Sequence, residues 1–302
     1  MSARSIRNKL APYALVFPGW VWLMIFFVVP IVAMLSVSTM TGNDLEGFKQ
    51  TWHLGTYADA WNQFHDRIIR SLIYGIVATA ICLLIGYPVA YWIAFRGGKY
   101  KSSLLFLLLL PFFVSFVIRT LSWQFMLGDS GLIHGALHGI HVEHGLFTVL
   151  RALNLADTDG QYTQTNMAVI GGLVYNFLPF AILPIYVSLE RVQPVLLEAS
   201  ADLYASKTLA FLKVVFPLSI PGLFASVLLT FVPVASDYVD AQILGGTHQT
   251  MIGTVIDTQY ITDLQYPTAA ALSFILMAIL LIGVFVYARV LGTEDALEMA
   301  AA

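Results

Sequence analysis

Six apolar runs, each close to the roughly 20 residues a helix needs to cross a bilayer's hydrocarbon core, constrain this chain more than any other feature. They lie at about 13–37, 71–95, 104–127, 167–189, 218–239 and 268–290. A backbone surrounded by lipid must satisfy its own hydrogen bonds, and the strand-like alternation of a membrane barrel is missing, so the runs read as helices. Composition agrees: 58% of the 302 residues are hydrophobic and 11% charged, where soluble domains carry about a quarter charged residues. The expected fold class is an all-α integral membrane protein with six transmembrane helices.

Arg4, Arg7 and Lys9 precede the first run in the manner of a signal peptide. That run is longer than a signal's apolar core of about 7–15 residues and contains Pro18 and Pro30, so it reads as a retained helix. Arg96, Lys99 and Lys101 fall between the second and third runs, and Arg191, Lys207 and Lys213 between the fourth and fifth. Arg289 closes the sixth. Positive residues mark the cytoplasmic side, which places both termini in the cytoplasm. The opposite loops gather carboxylates, among them Asp44, Glu46, Asp59, Asp66, Asp129, Glu143, Asp257 and Asp263. Such a rim either concentrates a cationic solute or serves as a generic acidic surface. No basic stripe indicates nucleic acid. Cys82, the sole cysteine, excludes an intrachain disulfide and cysteine-rich metal motifs.

One polar segment interrupts the apolar runs at the cytoplasmic side. Leu197-Glu198-Ala199-Ser200-Ala201-Asp202-Leu203-Tyr204 is followed by Val214-Val215-Phe216-Pro217. Small residues Ala199, Ser200 and Ala201 permit close approach to a partner groove, Glu198 and Asp202 supply polar contacts, and Pro217 marks the return to the bilayer. Helix-in-groove contact is a familiar recognition mode. The segment resembles the EAA loop of ABC-importer permeases, with the spacing kept, Ser200 where Ala is usual and Tyr204 where Gly is usual. A left-handed turn at a non-glycine costs about 1–2 kcal/mol, so Tyr204 is expected to displace the bend or change its geometry.

Further stretches resemble spermidine/putrescine-type permeases: Leu110-Pro111-Phe112-Phe113 leading to Ile118-Arg119-Thr120, Phe231-Val232-Pro233 through Asp237-Tyr238-Val239, Leu244-Gly245-Gly246, and Pro267-Thr268-Ala269. The resemblance covers most of the chain beyond the first helix. It implies a type I ABC-importer permease fold in a bacterial inner membrane, a second homologous permease subunit, two ATPase subunits and an extracytoplasmic solute-binding protein. It also implies that the chain is no enzyme and carries no cofactor. ATP and Mg would be bound by the ATPase, since no G-x-x-x-x-G-K-[ST] phosphate loop occurs here. The implied organisation is an N-terminal region with an additional helix (1–40), a five-helix core (65–290) containing the coupling loop (190–217), and a tail (291–302). Relatives of this group also carry ferric iron, opines and amino-acid-like solutes. A secondary transporter or a non-transport scaffold is the more distant alternative.

A polyamine is best held by carboxylates and aromatic faces, and ionisable residues inside spans are functional candidates. Asp237 is the first candidate and Asp240 the second, with Trp123, Tyr175 and Tyr238 as aromatic walls and Asn176 as a polar contact. A helix-ending cap remains the alternative for Asp237, and ordinary packing the alternative for the aromatics. Arg119 is expected to be a structural charge paired with a carboxylate such as Asp237; as a ligand it would favour an anion. His134, His138, His141 and His144 have a spacing that puts three on one helical face, a weak metal-binding pattern, but Gly135, Gly139 and Gly145 disfavour helix there.

Overall fold

The computed structural model describes residues 16–43, 45–128, 131 and 162–290. The four histidines of the third connection and the tail at 291–302 lie outside the described residues. Among the described residues five helices are long and apolar enough to cross a membrane, and a sixth span results if one sharply bent pair is counted together.

In chain order, α1 spans Val16–Ser38. An antiparallel hairpin follows, β1 (Met40–Asn43) with β2 (Gly47–Gln50), paired from Met40↔Gln50 to Asn43↔Gly47. Gly47, at φ 80, supplies the left-handed turn that closes it. The apolar runs gave no sign of this hairpin. Next come α2 (Gly55–Arg96), α3 (Lys101–Leu109), α4 (Phe116–Leu127), α5 (Asn166–Glu190) and α6 (Pro194–Asp202). Then come α7 (Lys207–Ala235), α8 (Val239–Leu244), α9 (Ile252–Asp257) and α10 (Tyr266–Val290).

Three boundaries depart from the apolar runs. The 42 residues of α2 extend about 63 Å at 1.5 Å per residue, twice the roughly 30 Å hydrocarbon core, because the polar stretch from Gly55 to Arg70 is helical too. The third span is not one rod. Pro111, which lacks an N–H, sits in a 3₁₀ turn at Leu110–Phe113; Val114 and Ser115 are extended (ψ 140 and 138), and the arms on either side are bent by 90°. Finally, α7 begins well before Pro217. Ser206 caps its start by accepting from the Leu209 N–H, and a π-helical turn at Phe211–Val215 precedes Pro217, relieving the ring's demand on the helix ladder.

The chain divides into two compact units. One comprises the residues up to His65 together with Ile256–Met277. Within it Ser38 and Tyr57 share a hydroxyl hydrogen bond of 2.7 Å, and Phe48 packs edge-on to Tyr266 at 5.4 Å. Only 6% of the apolar window of α1 is buried, so its apolar side chains are left for lipid or a partner helix.

The other unit, Asp66–Val255 with the chain from Ala278, is organised by α5, whose apolar window is 61% buried. Thr165 caps α5 by accepting from the Ala168 N–H at 3.1 Å. At one end of α5, Val169 and Leu173 pack with Val234, Leu244 and Met251; at the other, Ile182, Ile185 and Leu189 pack with Ile93 and Val215. α5 meets α7 through small residues and hydroxyls. A Cβ on Gly222 would strike Ser188 and the Pro184 carbonyl, and the Ser188 and Ser226 hydroxyls donate to the Leu218 and Ala181 carbonyls. Small residues and cross-helix hydrogen bonds hold helices together where lipid removes the hydrophobic drive.

Candidate functional site

The polar segment at 190–217 folds as the helix α6, a tight turn, and the start of α7. Pro194 opens α6 at a position where its missing N–H costs nothing. Leu197 packs onto the core cluster of Ile185, Leu189 and Val215, tying α6 to α5 and α7. Glu198, Ala199 and Asp202 are exposed, while Ser200 is half-buried and donates to the Leu197 carbonyl at 2.7 Å. A cavity of about 720 Å³ borders this region, lined by Pro184, Ser188, Arg191, Leu196 and Pro221 among others.

Tyr204 does not displace the bend. It adopts the left-handed conformation itself, at φ 57. The Ala205 N–H reaches the Ser200 carbonyl at 3.0 Å and the Tyr204 N–H the Ala201 carbonyl at 2.9 Å, the paired bonds of a Schellman helix end. The chain thus keeps the glycine geometry without the glycine, at a cost of about 1–2 kcal/mol.

At the opposite end of α7, three elements converge on Asp240, which is fully buried on α8. The Asn176 amide of α5 donates to both carboxylate oxygens, at 2.9 and 3.1 Å, and the Thr120 hydroxyl of α4 donates at 2.6 Å. One turn along α4, the Gln124 amide donates to the Ile243 carbonyl at 2.9 Å. Gly171 and Gly172 make room for this: a Cβ on Gly172 would strike Leu244, and one on Gly171 would come within 3.1 Å of the Trp123 ring. Trp123 stacks on Tyr175 at 5.8 Å with 7° between ring planes, and its indole N–H donates to the Ala168 carbonyl. Tyr175 and Tyr238 are exposed by 41% and 45%.

Sequence reasoning singled out Asp240, Asn176, Trp123 and Tyr175, and the structure brings these four together. Asp237 is nearby in sequence but differently used: its carboxylate accepts the Asp240 backbone N–H at 2.8 Å, capping α8. Thr120 and Gln124 were missed. Their i, i+4 spacing on α4 was the available signal, since it puts both on one helix face.

Arg119 makes no ion pair with Asp237 among the described residues; the carboxylate on which its charge acts is that of Asp240. Arg119 is buried, its guanidinium 4.7 Å from the Phe112 ring centre and 5.5 Å from that of Phe116, and its Nε has no hydrogen-bond partner. The bend at Val114–Ser115 folds Phe112 back over the guanidinium's side of α4, and the Asp237 carboxylate is already engaged by the backbone of α8. Among the described residues no group of His, Cys, Asp and Glu could hold a metal.

Multiple spans around a kinked, small-residue core, with a polar helix-turn-helix between two of them, define a multi-span helical membrane protein. Residues 54–291 match the binding-protein-dependent transport system inner membrane components, and the chain belongs to that family. Spermidine/putrescine transport system permease protein PotB of Haemophilus influenzae is 34% identical over 272 residues, covering 89% of this chain and 90% of that protein. The Escherichia coli PotB is 32% identical over 269 residues, covering 89% and 93%. Inner membrane ABC transporter permease protein YdcU of Escherichia coli is 32% identical over 237 residues, covering 77% and 74%. Among solved structures, a bacterial ABC transporter involved in the import of the acidic polysaccharide alginate aligns with a TM-score of 0.67 at 17% identity, covering 96% of this chain and 98% of that one. That likeness is one of fold. The chain is therefore a multi-pass inner-membrane permease of a binding-protein-dependent ABC importer. It works with an ATPase and a periplasmic binding protein, needs no cofactor of its own, and is not itself an enzyme.

Proposed function

We propose that this permease conducts a polyamine, spermidine or putrescine, delivered by its binding protein. The similarity to spermidine/putrescine permeases over 89% of the chain carries this reading. The carboxylates of the outer loops fit it, because they raise the local concentration of a cation. So do the open faces of Tyr175 and Tyr238, since aromatic faces attract ammonium groups. Asp240 then acts from behind the aromatic pair, fixing α4 and α5 around the path. In this account both termini are cytoplasmic, as the Lys and Arg distribution favours, and a second homologous permease completes the path above two ATPase subunits. The chain's own organisation is an added helix within 1–40, a five-helix core at 65–290 and a tail at 291–302.

Force enters at α6, through Glu198, Ala199, Ser200, Asp202 and Tyr204. α7 carries it: 29 residues run from Lys207 past Pro217 to Ala235, about 44 Å at 1.5 Å per residue, and end one short turn before Asp240. Closure of the ATPase dimer on ATP pulls the coupling turn, tilts α7, and moves α8 with its Asp240 anchorage. This links nucleotide chemistry on one face to access on the other.

Isothermal titration of the cognate binding protein against spermidine, putrescine, ferric ion, an opine and amino acids tests the cargo. Tight binding of spermidine or putrescine alone is expected. Selection of ferric ion, or of an anionic solute that gives Arg119 a ligand role, would overturn the polyamine assignment while leaving the permease assignment intact.

A further inference from the structure

The break in the third span leaves backbone groups without partners in the middle of an apolar run. On one side the last bond joins the Val114 N–H to the Pro111 carbonyl; on the other the first joins the Arg119 N–H to the Ser115 carbonyl. Among the described residues no backbone hydrogen bond crosses the gap. The Phe112, Phe113 and Val114 carbonyls and the Phe116, Val117 and Ile118 N–H groups therefore have no partner there, and no side chain caps the start of α4.

Such groups are costly against hydrocarbon, and irregular backbone at membrane depth is tolerated only when buried in protein or set beside a water-filled cavity. Its own chain does not bury this stretch. Phe113 and Val114 are 80% and 45% exposed, and Ser115 is exposed too. A covering helix from a second subunit would not satisfy it, because the N–H groups of a helix interior are already bonded along their own ladder.

We infer that the stretch 112–118 lines the aqueous path through the permease, where the Phe112, Phe113 and Val114 carbonyls and the Ser115 hydroxyl replace water around the cargo's ammonium groups. Unwound carbonyls at a discontinuous helix are a recurring cation contact in transporters. Arg119, the neighbouring cation, does not oppose this. It is 7% exposed, lies against the Phe112 and Phe116 rings, and its charge acts on Asp240. The N–H groups that open α4 stay with water. The ammonium contact rests on the polyamine reading; the water-lined break does not.

The lone cysteine makes the test clean. Cys82 is buried, and Cys82→Ala supplies a background for single cysteines in this chain. In lipid nanodiscs holding the permease pair and ATPase, open to reagent on both faces, Ser115→Cys and Val114→Cys are treated with a charged methanethiosulfonate. Thiols must ionise in contact with water to react, so both are expected to label about tenfold or more faster than Leu107→Cys on the helical arm α3. Spermidine, with binding protein and ATP, is expected to slow labelling of Ser115→Cys. Labelling at both positions no faster than at Leu107→Cys overturns the water-lined break. Fast labelling that spermidine leaves unchanged, with a binding protein that takes spermidine, overturns the ammonium contact. A binding protein that refuses spermidine removes the polyamine reading instead, and the labelling rates alone then decide the break.

Discussion

Asp240 is where the polar chemistry of the larger unit converges. Its carboxylate is cut off from solvent and takes three donor contacts, two from Asn176 and one from Thr120. Removing a donor leaves a buried acceptor short of partners, which costs about 1–3 kcal/mol. Asn176→Leu, similar in size, is therefore expected to lower the thermal midpoint of the detergent-solubilised complex by that equivalent; an unchanged midpoint would contradict the clasp. The members of this cluster were unequally visible in the sequence. Asp240 and Asn176 stood out as polar groups in or beside apolar runs. Thr120 did not, since a threonine in an apolar helix ordinarily satisfies itself on its own backbone, and here it also lies 3.2 Å from the Phe116 carbonyl. Asp237 drew attention by its charge, yet its use is local, as a helix cap. At Tyr204 the sequence showed an anomaly whose resolution required coordinates: the turn was kept and the strain accepted.

Helix pairs carry the next level. α5 and α7 approach closely enough that Gly222 lies against Ser188 and the Pro184 carbonyl, 2.6 Å from an added Cβ. Backbone cannot yield as a flexible side chain can, so Gly222→Ala is expected to destabilise the permease by about 1–3 kcal/mol. Gly283, on α10, has nothing within 4 Å of an added Cβ, and Gly283→Ala is expected to be neutral or stabilising by up to about 1 kcal/mol. Equal melting of the two variants would contradict this packing. Spans α5 and α10 were legible almost to their ends because lipid-length apolar runs fix them. The break at Val114–Ser115 was not, because residues 104–127 stay apolar through it and only Pro111 hinted at a turn. The first turns of α2, from Gly55 to Arg70, were hidden for the opposite reason: their polarity looks like loop, although continuity with the apolar run at 71–95 makes them helical.

On the scale of the whole molecule, one path joins the two ends of the larger unit that the proposed function uses. The turn after α6, proposed as the coupling element, leads into α7; α7 ends beside α8, and α8 is anchored by Asp240 between α4 and α5. The helical membrane class was readable from the six apolar runs, and the family from the resemblance of the 197–217 segment, which keeps the family's distances even where Ser200 and Tyr204 replace usual residues. Cargo was less readable, because the candidate carboxylates serve structural bonds and the exposed aromatics accept any cation of suitable size. The central claim is that transport by this chain is powered through the 198–204 turn and directed at polyamines. The most direct measurement is uptake of labelled spermidine into proteoliposomes holding the permease pair and ATPase, with ATP enclosed and binding protein outside. The account predicts uptake that requires both ATP and the binding protein, and that disappears on deletion of 198–204 although the protein still inserts into the bilayer. Spermidine uptake that survives the deletion, or proceeds without ATP, would contradict it.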